Sequence, residues 1–465
     1  MTATTLNAND KPKNEKTLTG AFADCLLDIR YDTLPAAAIE VARHVALDGL
    51  GVMIAGASEP LGLGRISIEY TREMGGNPQA SVATAGFKTS MSNAAYVNGT
   101  LAHALDWDNT WYPLNHPTSP TLPAILAVAE HRKLPGHRII EAIVAAFETQ
   151  GRLRLAAGAA MKNGEGFHKP GMTGTFGAVA GVARLIGLDR QQTLMALGLA
   201  GSRAGSVALN TGTMTKSSHS GHAARIGVDC GLLAEKGWTA TADIFGPKGF
   251  FDTFLHGGGT PALLVEGFAA PLRMVDPGVG FKKYPSNYFT HRPIDAALAL
   301  RKAPGFRGSD IDRIDIDFPA FDYVDRPQPR TGLDGKFSVQ YATVVALLDG
   351  EITIDSFTNE RRFADDVQAL LPRVTLRKDT SIPGDFDQTW AVVTVRLKDG
   401  RTCVQKMQEL SGWIGYPLTR EQRLEKFFGA TRRALDQTRA QRVVDLVEKL
   451  DAIDDIDEVM TIVRA

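Results

Sequence analysis

IDRIDIDF, residues 311–318, alternates apolar and polar side chains with a period of two, the mark of a half-buried strand. It follows a long stretch in which apolar residues recur every three to four positions, so the architecture changes before it. Upstream, PAAAIEVARHVALDGLGVMIAG (Pro35 to Gly56) predicts a helix with Thr33 as its cap and Pro35 in its first turn. Similar periods run near 91–106, 121–133, 137–158, 173–187, 189–201 and 219–236. Gly174, Gly177, Ala178 and Gly181 put small residues along one side of a helix, where a neighbour can approach closely. Downstream, WAVVTVRLKDGRTCV (Trp390 to Val404) reads as a hairpin turning at Asp399-Gly400, and 339–348 and 365–371 read as helices. Helical spacing returns at 419–435, where Thr419 and Gln422 suit a capping box, and at 440–450 and 456–463. The expected fold is mostly α with an inserted α+β domain. A discontinuous large helical domain, residues 1–273 and 405–465, flanks a smaller α+β domain, residues 274–404.

At 465 residues the chain exceeds what one core usually supports. Lys+Arg 51 against Asp+Glu 52 leaves a formal charge of -1, which gives no footing for a nucleic acid or a membrane surface as partner. Cys25, Cys230 and Cys403 form no CxxC pair and read as free thiols of a reducing cytosol. The first sixteen residues, MTATTLNANDKPKNEK, are polar and read as a frayed tail rather than a signal peptide. No apolar run reaches the ~18 residues of a membrane span. A cytoplasmic, soluble protein is expected.

Three segments concentrate groups that move protons or bind anions: HALDWDNTWYPLNHP (His103 to Pro117), GFHKPGMTGTFG (Gly166 to Gly177) and GTMTKSSHSGHAAR (Gly212 to Arg225). Such density is costly to bury unless every polar group finds a partner, so a catalytic site is the natural reading. Familiar cofactor frames are missing. Gly171, Gly174 and Gly177 are spaced GxxGxxG with no strand before them, and no P-loop or GxSxG elbow occurs. Asp106 and Asp108 with His103 or His116 could surround a metal, yet they match no recognisable ligand set, and no metal is expected. A lysine can neutralise a carboxylate or an enolate, and histidines titrate near neutral pH. Elimination from a di- or tricarboxylate needs these groups and no redox cofactor.

HALDWDNT followed by HP, then GFHKPGMTGTFGA, GTMTKSSHSGHAAR, KKYPSNYFTHRPIDAA and FDYVDRPQPRTGLDGKFSVQYA resemble the MmgE/PrpD family in the same order and at comparable spacing. The resemblance runs from about residue 20 to the C-terminus. It implies a large helical domain with a smaller α+β lid, usually in a homodimer, and activity without a cofactor. Family members include 2-methylcitrate dehydratase, cis-aconitate decarboxylase and iminodisuccinate epimerase. By motif position it implies catalytic roles for Asp106, His116, His168 and Lys216 and substrate-binding roles for Thr110 and Tyr323. The decarboxylase branch places a histidine in the fourth motif where this chain has Asn287, which can bind a carboxylate but cannot pass it a proton. His291, four residues later, belongs to a different family position. His103 and His219 are expected behind these groups, orienting them. The expected function is a 2-methylcitrate-dehydratase-like hydro-lyase working through an enolate. A carboxy-lyase acting on cis-aconitate, a dicarboxylate epimerase and a catalytically silent polycarboxylate-binding relative are the alternatives. Lys216→Met is expected to lower kcat/KM with little change in the melt.

Overall fold

The computed structural model describes residues 17–111, 115–161 and 166–465, and the polar tail lies outside them. The molecule is mostly helical with a smaller α+β part, as the two sequence periods require. Its helical body packs Met91–Ala102, Gly136–Ala157, Lys169–Ile186 and Met214–Glu235 around Leu122–Arg132. Small residues set the spacing. A Cβ on Gly99 would lie 2.9 Å from the Gly221 Cα, and one on Gly221 would lie 2.2 Å from the Tyr96 carbonyl oxygen, so the helices 91–102 and 214–235 touch backbone to backbone. On the helix Lys169–Ile186, Gly177 comes equally close to the Ala146 carbonyl, and Ala178 meets Gly227. The Gly/Ala stripe read from the sequence is thus a packing seam.

Two cores result. The first holds residues of the helical body, including Phe147, Phe176 and Trp111, and takes in Val443, Val444 and Val459 from the end of the chain. Gly51 leaves room for the ring of Phe427, which seats the helix Arg420–Thr431 against Ala36–Ala57. The second core begins at Tyr284 and is built on a four-stranded sheet ordered Val374–Asp379, Ile311–Pro319, Ala391–Leu397, Thr402–Met407. Ile311–Pro319 runs parallel to Val374–Asp379 and antiparallel to Ala391–Leu397. Ile314, Ile316 and Phe318 point into the core with Val344 and Val345 of the helix Val339–Asp349. The hairpin turns where expected, with Gly400 at φ +89. Among the described residues no helix is long and apolar enough to cross a membrane.

Several boundaries differ from the sequence reading. Thr33 does not cap the helix Ala36–Ala57; Pro35 stands at that position, and the Thr33 hydroxyl donates to the Arg30 carbonyl. The helix read from 219 starts at Met214, and the one read from 173 starts at Lys169. MTKSSH and KPGMTG have weak intrinsic helix propensity, and burial of one face against neighbouring helices overrides it. Thr419 and Gln422 do form the capping box.

Candidate active site

The helix Met91–Ala102 is capped by Ser90 and stops at His103, after which the chain turns through 103–108. Asp106 adopts φ +51, a left-handed conformation that costs a non-glycine residue roughly 1–2 kcal/mol and that Asp tolerates better than most. The turn delivers its carboxylate to two lysines. Lys216 Nζ donates to Asp106 Oδ1 at 2.5 Å, and Lys282 Nζ lies 3.1 Å from Oδ2 while donating to the Asp106 backbone oxygen at 2.5 Å. All three residues are buried. Burial opposes ionisation of Asp106, but the two ammonium groups outweigh it and hold its carboxyl well below the ordinary carboxylate range. Burial likewise works against the Lys216 charge, and Asp106 reverses it, raising the lysine above its ordinary value. For Lys282 burial wins and the shift is downward. Lys216 occupies the first turn of its helix, where the dipole disfavours a cation by roughly 0.3–1 kcal/mol, and Asp106 offsets this.

Asp108 holds two imidazoles. His103 Nδ1 is 2.9 Å from Oδ1, His116 Nδ1 is 3.3 Å from Oδ2, and the Ser119 hydroxyl donates to Oδ2 at 2.7 Å. His116 Nε2 stands 3.6 Å from Asp106 Oδ1, so its ring bridges both carboxylates. Burial pushes His103 down to about 4. His168 precedes the helix Lys169–Ile186 at its cap position, its backbone N–H donating to Ser206 O at 2.8 Å. Gly171 is needed there because a Cβ would strike Ser206. His168 Nδ1 lies 3.2 Å from His219 Nδ1. Burial, with Lys216 next, holds His168 neutral far below its ordinary value, and burial lowers His219 to about 4.

Thr110, His116, His168, Lys216, Asn287 and Tyr323 all line one cavity of about 140 Å³ between the helical body and the α+β part. Asp106 lies just behind Lys216, while His103 and His219 stand behind His116 and His168. Tyr323 packs edge-on against Phe337, whose face lies 5.3 Å from Lys216 Nζ. Thr110 donates through its hydroxyl to the Asn115 carbonyl, and Asn287 Oδ1 accepts from Phe289 N–H. Trp107 and Trp111 lie in the core. His291 is buried against Tyr284 and Tyr288.

Sequence reasoning missed Lys282 and Lys169, which also line the cavity; burial pushes Lys169 down to about 7. Both sat inside motifs already singled out, KKYPSN and FHKPGM, which is the signal that could have found them. It also missed Lys336, buried, donating to the Ala104 carbonyl at 3.4 Å. His103, Asp106, Asp108 and His116 offer atoms within 4.8 Å of one another, close enough to consider a cation. However, the Asp106 oxygens already face two ammonium groups, so the cluster is an internal ion-pair network and a poor host for a further positive charge.

A helical body with an α+β part encloses a cavity of buried ammonium and imidazole groups, a site suited to small anions. Residues 20–261 match the MmgE/PrpD N-terminal domain and residues 284–452 the MmgE/PrpD C-terminal domain, so the chain belongs to the MmgE/PrpD family. It is 30% identical to mouse (Mus musculus) cis-aconitate decarboxylase over 95% of this chain and 92% of that one, and 28% identical to the human enzyme over 97% and 95%. A 2-methylcitrate dehydratase of Salmonella typhimurium is 24% identical over 90% of this chain and 91% of its own. These relatives are lyases, and so is this protein.

Proposed function

We propose that the protein is a cofactor-independent hydro-lyase that takes a small di- or tricarboxylate through an enolate, in the manner of its 2-methylcitrate dehydratase relatives. The observation that carries this reading is the pair of lysines on one buried carboxylate. Held by Asp106, Lys216 and Lys282 present a fixed positive field to the cavity, suited to a substrate carboxylate and to the charge that builds on it as the α-proton leaves. In this reading His168 is the base by its place in the cavity wall, with one ring nitrogen against His219 and the other left for the proton. The C–H electron pair passes into the enolate. The C–O bond then breaks, and His116 gives the hydroxyl a proton so that water departs. Asp106 is too acidic to serve as a base and acts as the anchor of the lysines. Thr110, Asn287 and Tyr323 bind substrate oxygens, and His103 and Asp108 orient His116.

Asn287 supports loss of water over loss of carbon dioxide, because an amide carries neither charge nor proton at neutral pH. The second reading, decarboxylation of cis-aconitate, is favoured by the higher identity to the decarboxylases. The proposal treats residues 274–404 as a lid and the working form as a cytoplasmic homodimer, which sedimentation of the purified protein and cell fractionation test. The reaction itself is tested in deuterated water by NMR with hydroxylated di- and tricarboxylates. Alkene formation supports the hydro-lyase, deuterium exchange alone points to an epimerase, and binding without exchange or turnover leaves a silent relative.

A further inference from the structure

We infer that the cavity selects a carboxylate carrying an apolar arm, and that Phe289 and Phe321 are the residues that choose it; this deepens the proposed function and rests on it. The lining has two chemical characters. Lys169, Lys216 and Lys282 bring ammonium groups from the helical body and the segment that leaves it. Phe289, on the single turn Tyr288–Thr290, and Phe321, just beyond the strand Ile311–Pro319, bring two bare rings from the α+β part. The rings lie 4.6 Å apart at 39°. Phe289 packs edge-on against Phe386 at 4.7 Å and 83°, and Phe386 against Trp413 at 4.8 Å, so the wall is backed by a small core of its own.

Both phenylalanines keep part of their surface exposed where they line the cavity. A substrate made only of carboxylates and hydroxyls would satisfy the lysines and leave that surface with nothing to bury. An alkyl arm on the same acid covers it while the carboxylates remain on the cations. Each methylene buried there tightens binding about fourfold.

The test is titration calorimetry of the purified protein with succinate and with methyl-, ethyl- and propylsuccinate. Kd is expected to fall about fourfold per added carbon in the native protein. In Phe289→Ala the gradient is expected to drop below about twofold per carbon, as the wall loses one ring. A flat or rising Kd along the native series overturns the inference, with no variant required. Should Phe289→Ala fail to fold, as judged by circular dichroism, Phe321→Ala replaces it. An unchanged gradient in a folded variant removes these residues from selection. If none of the acids binds, the proposed function fails as well. If binding is flat along the series while a hydroxylated acid still loses water, only the apolar wall is wrong.

Discussion

Lys216→Met removes one of the two ammonium groups on Asp106 while nearly preserving side-chain length, so it separates charge from shape. Removing one partner of a buried ion pair costs about 3–5 kcal/mol when the other charge is stranded. Asp106 retains Lys282 at 3.1 Å, so the expected loss of stability lies at the lower end, about 3 kcal/mol. The sequence alone predicts almost no change in the melt; the 2.5 Å contact to a buried carboxylate predicts a measurable loss. In catalysis the same change removes charge from the forming enolate, and kcat/KM should fall by about two to four orders of magnitude, ~3–5 kcal/mol. The assay is a double-mutant cycle of Lys216→Met with Asp106→Asn, followed by chemical denaturation of the helical body and by kcat/KM. A coupling of at least ~1.5 kcal/mol in stability is expected. Additive single-variant losses would refute the pair, and undiminished kcat/KM in Lys216→Met would remove this lysine from the chemistry.

Lys282→Met should lower kcat/KM by about a hundredfold or more, through the same loss of fixed positive charge, and native-like kinetics would show that one lysine suffices. His103 titrates near 4 in the folded protein because it is buried, against its ordinary 6.5, so above pH 6.5 it contributes no penalty. Its contribution to stability is lost as pH falls from 6.5 towards 4, at about 1.4 kcal/mol per pH unit, and denaturation at stepped pH should show a shallower slope in His103→Asn. Activity should survive exhaustive dialysis against a strong chelator, whereas a loss restored by added metal would return Asp106, Asp108, His103 and His116 to the status of ligands.

The division of the fold was legible because two periods, near 3.6 and 2, occupy different stretches of the chain, and because Asp-Gly at 399–400 and the Thr419/Gln422 box are local devices that need no tertiary context. Helix starts at Lys169 and Met214 were not legible, since they depend on Gly-mediated contact with helices far away in sequence. Within the site, dense polar segments stood out by themselves: His103, Asp106, His116, His168 and Lys216 meet in space because three such segments converge. Lys282, although it sits inside the KKYPSN motif, and Lys336 are passed over in the sequence for a physical reason. A lysine in isolation reads as a solvated surface group, and only the fold reveals that these two ammonium groups reach the backbone of the Asp106 turn. The electrostatic sense of Asp106 was likewise hidden. The motif alone implies a catalytic role for this residue, and the two lysines on its oxygens show which charge it carries.

The central claim, an enolate-forming lyase that expels water, is tested most directly by a panel of hydroxylated and unsaturated di- and tricarboxylates, scored in parallel for alkene absorbance and for carbon dioxide release. A hydroxylated acid related to 2-methylcitrate should yield alkene, with cis-aconitate releasing little carbon dioxide. Efficient carbon dioxide release from cis-aconitate, with no alkene from any hydroxylated acid, would contradict the account.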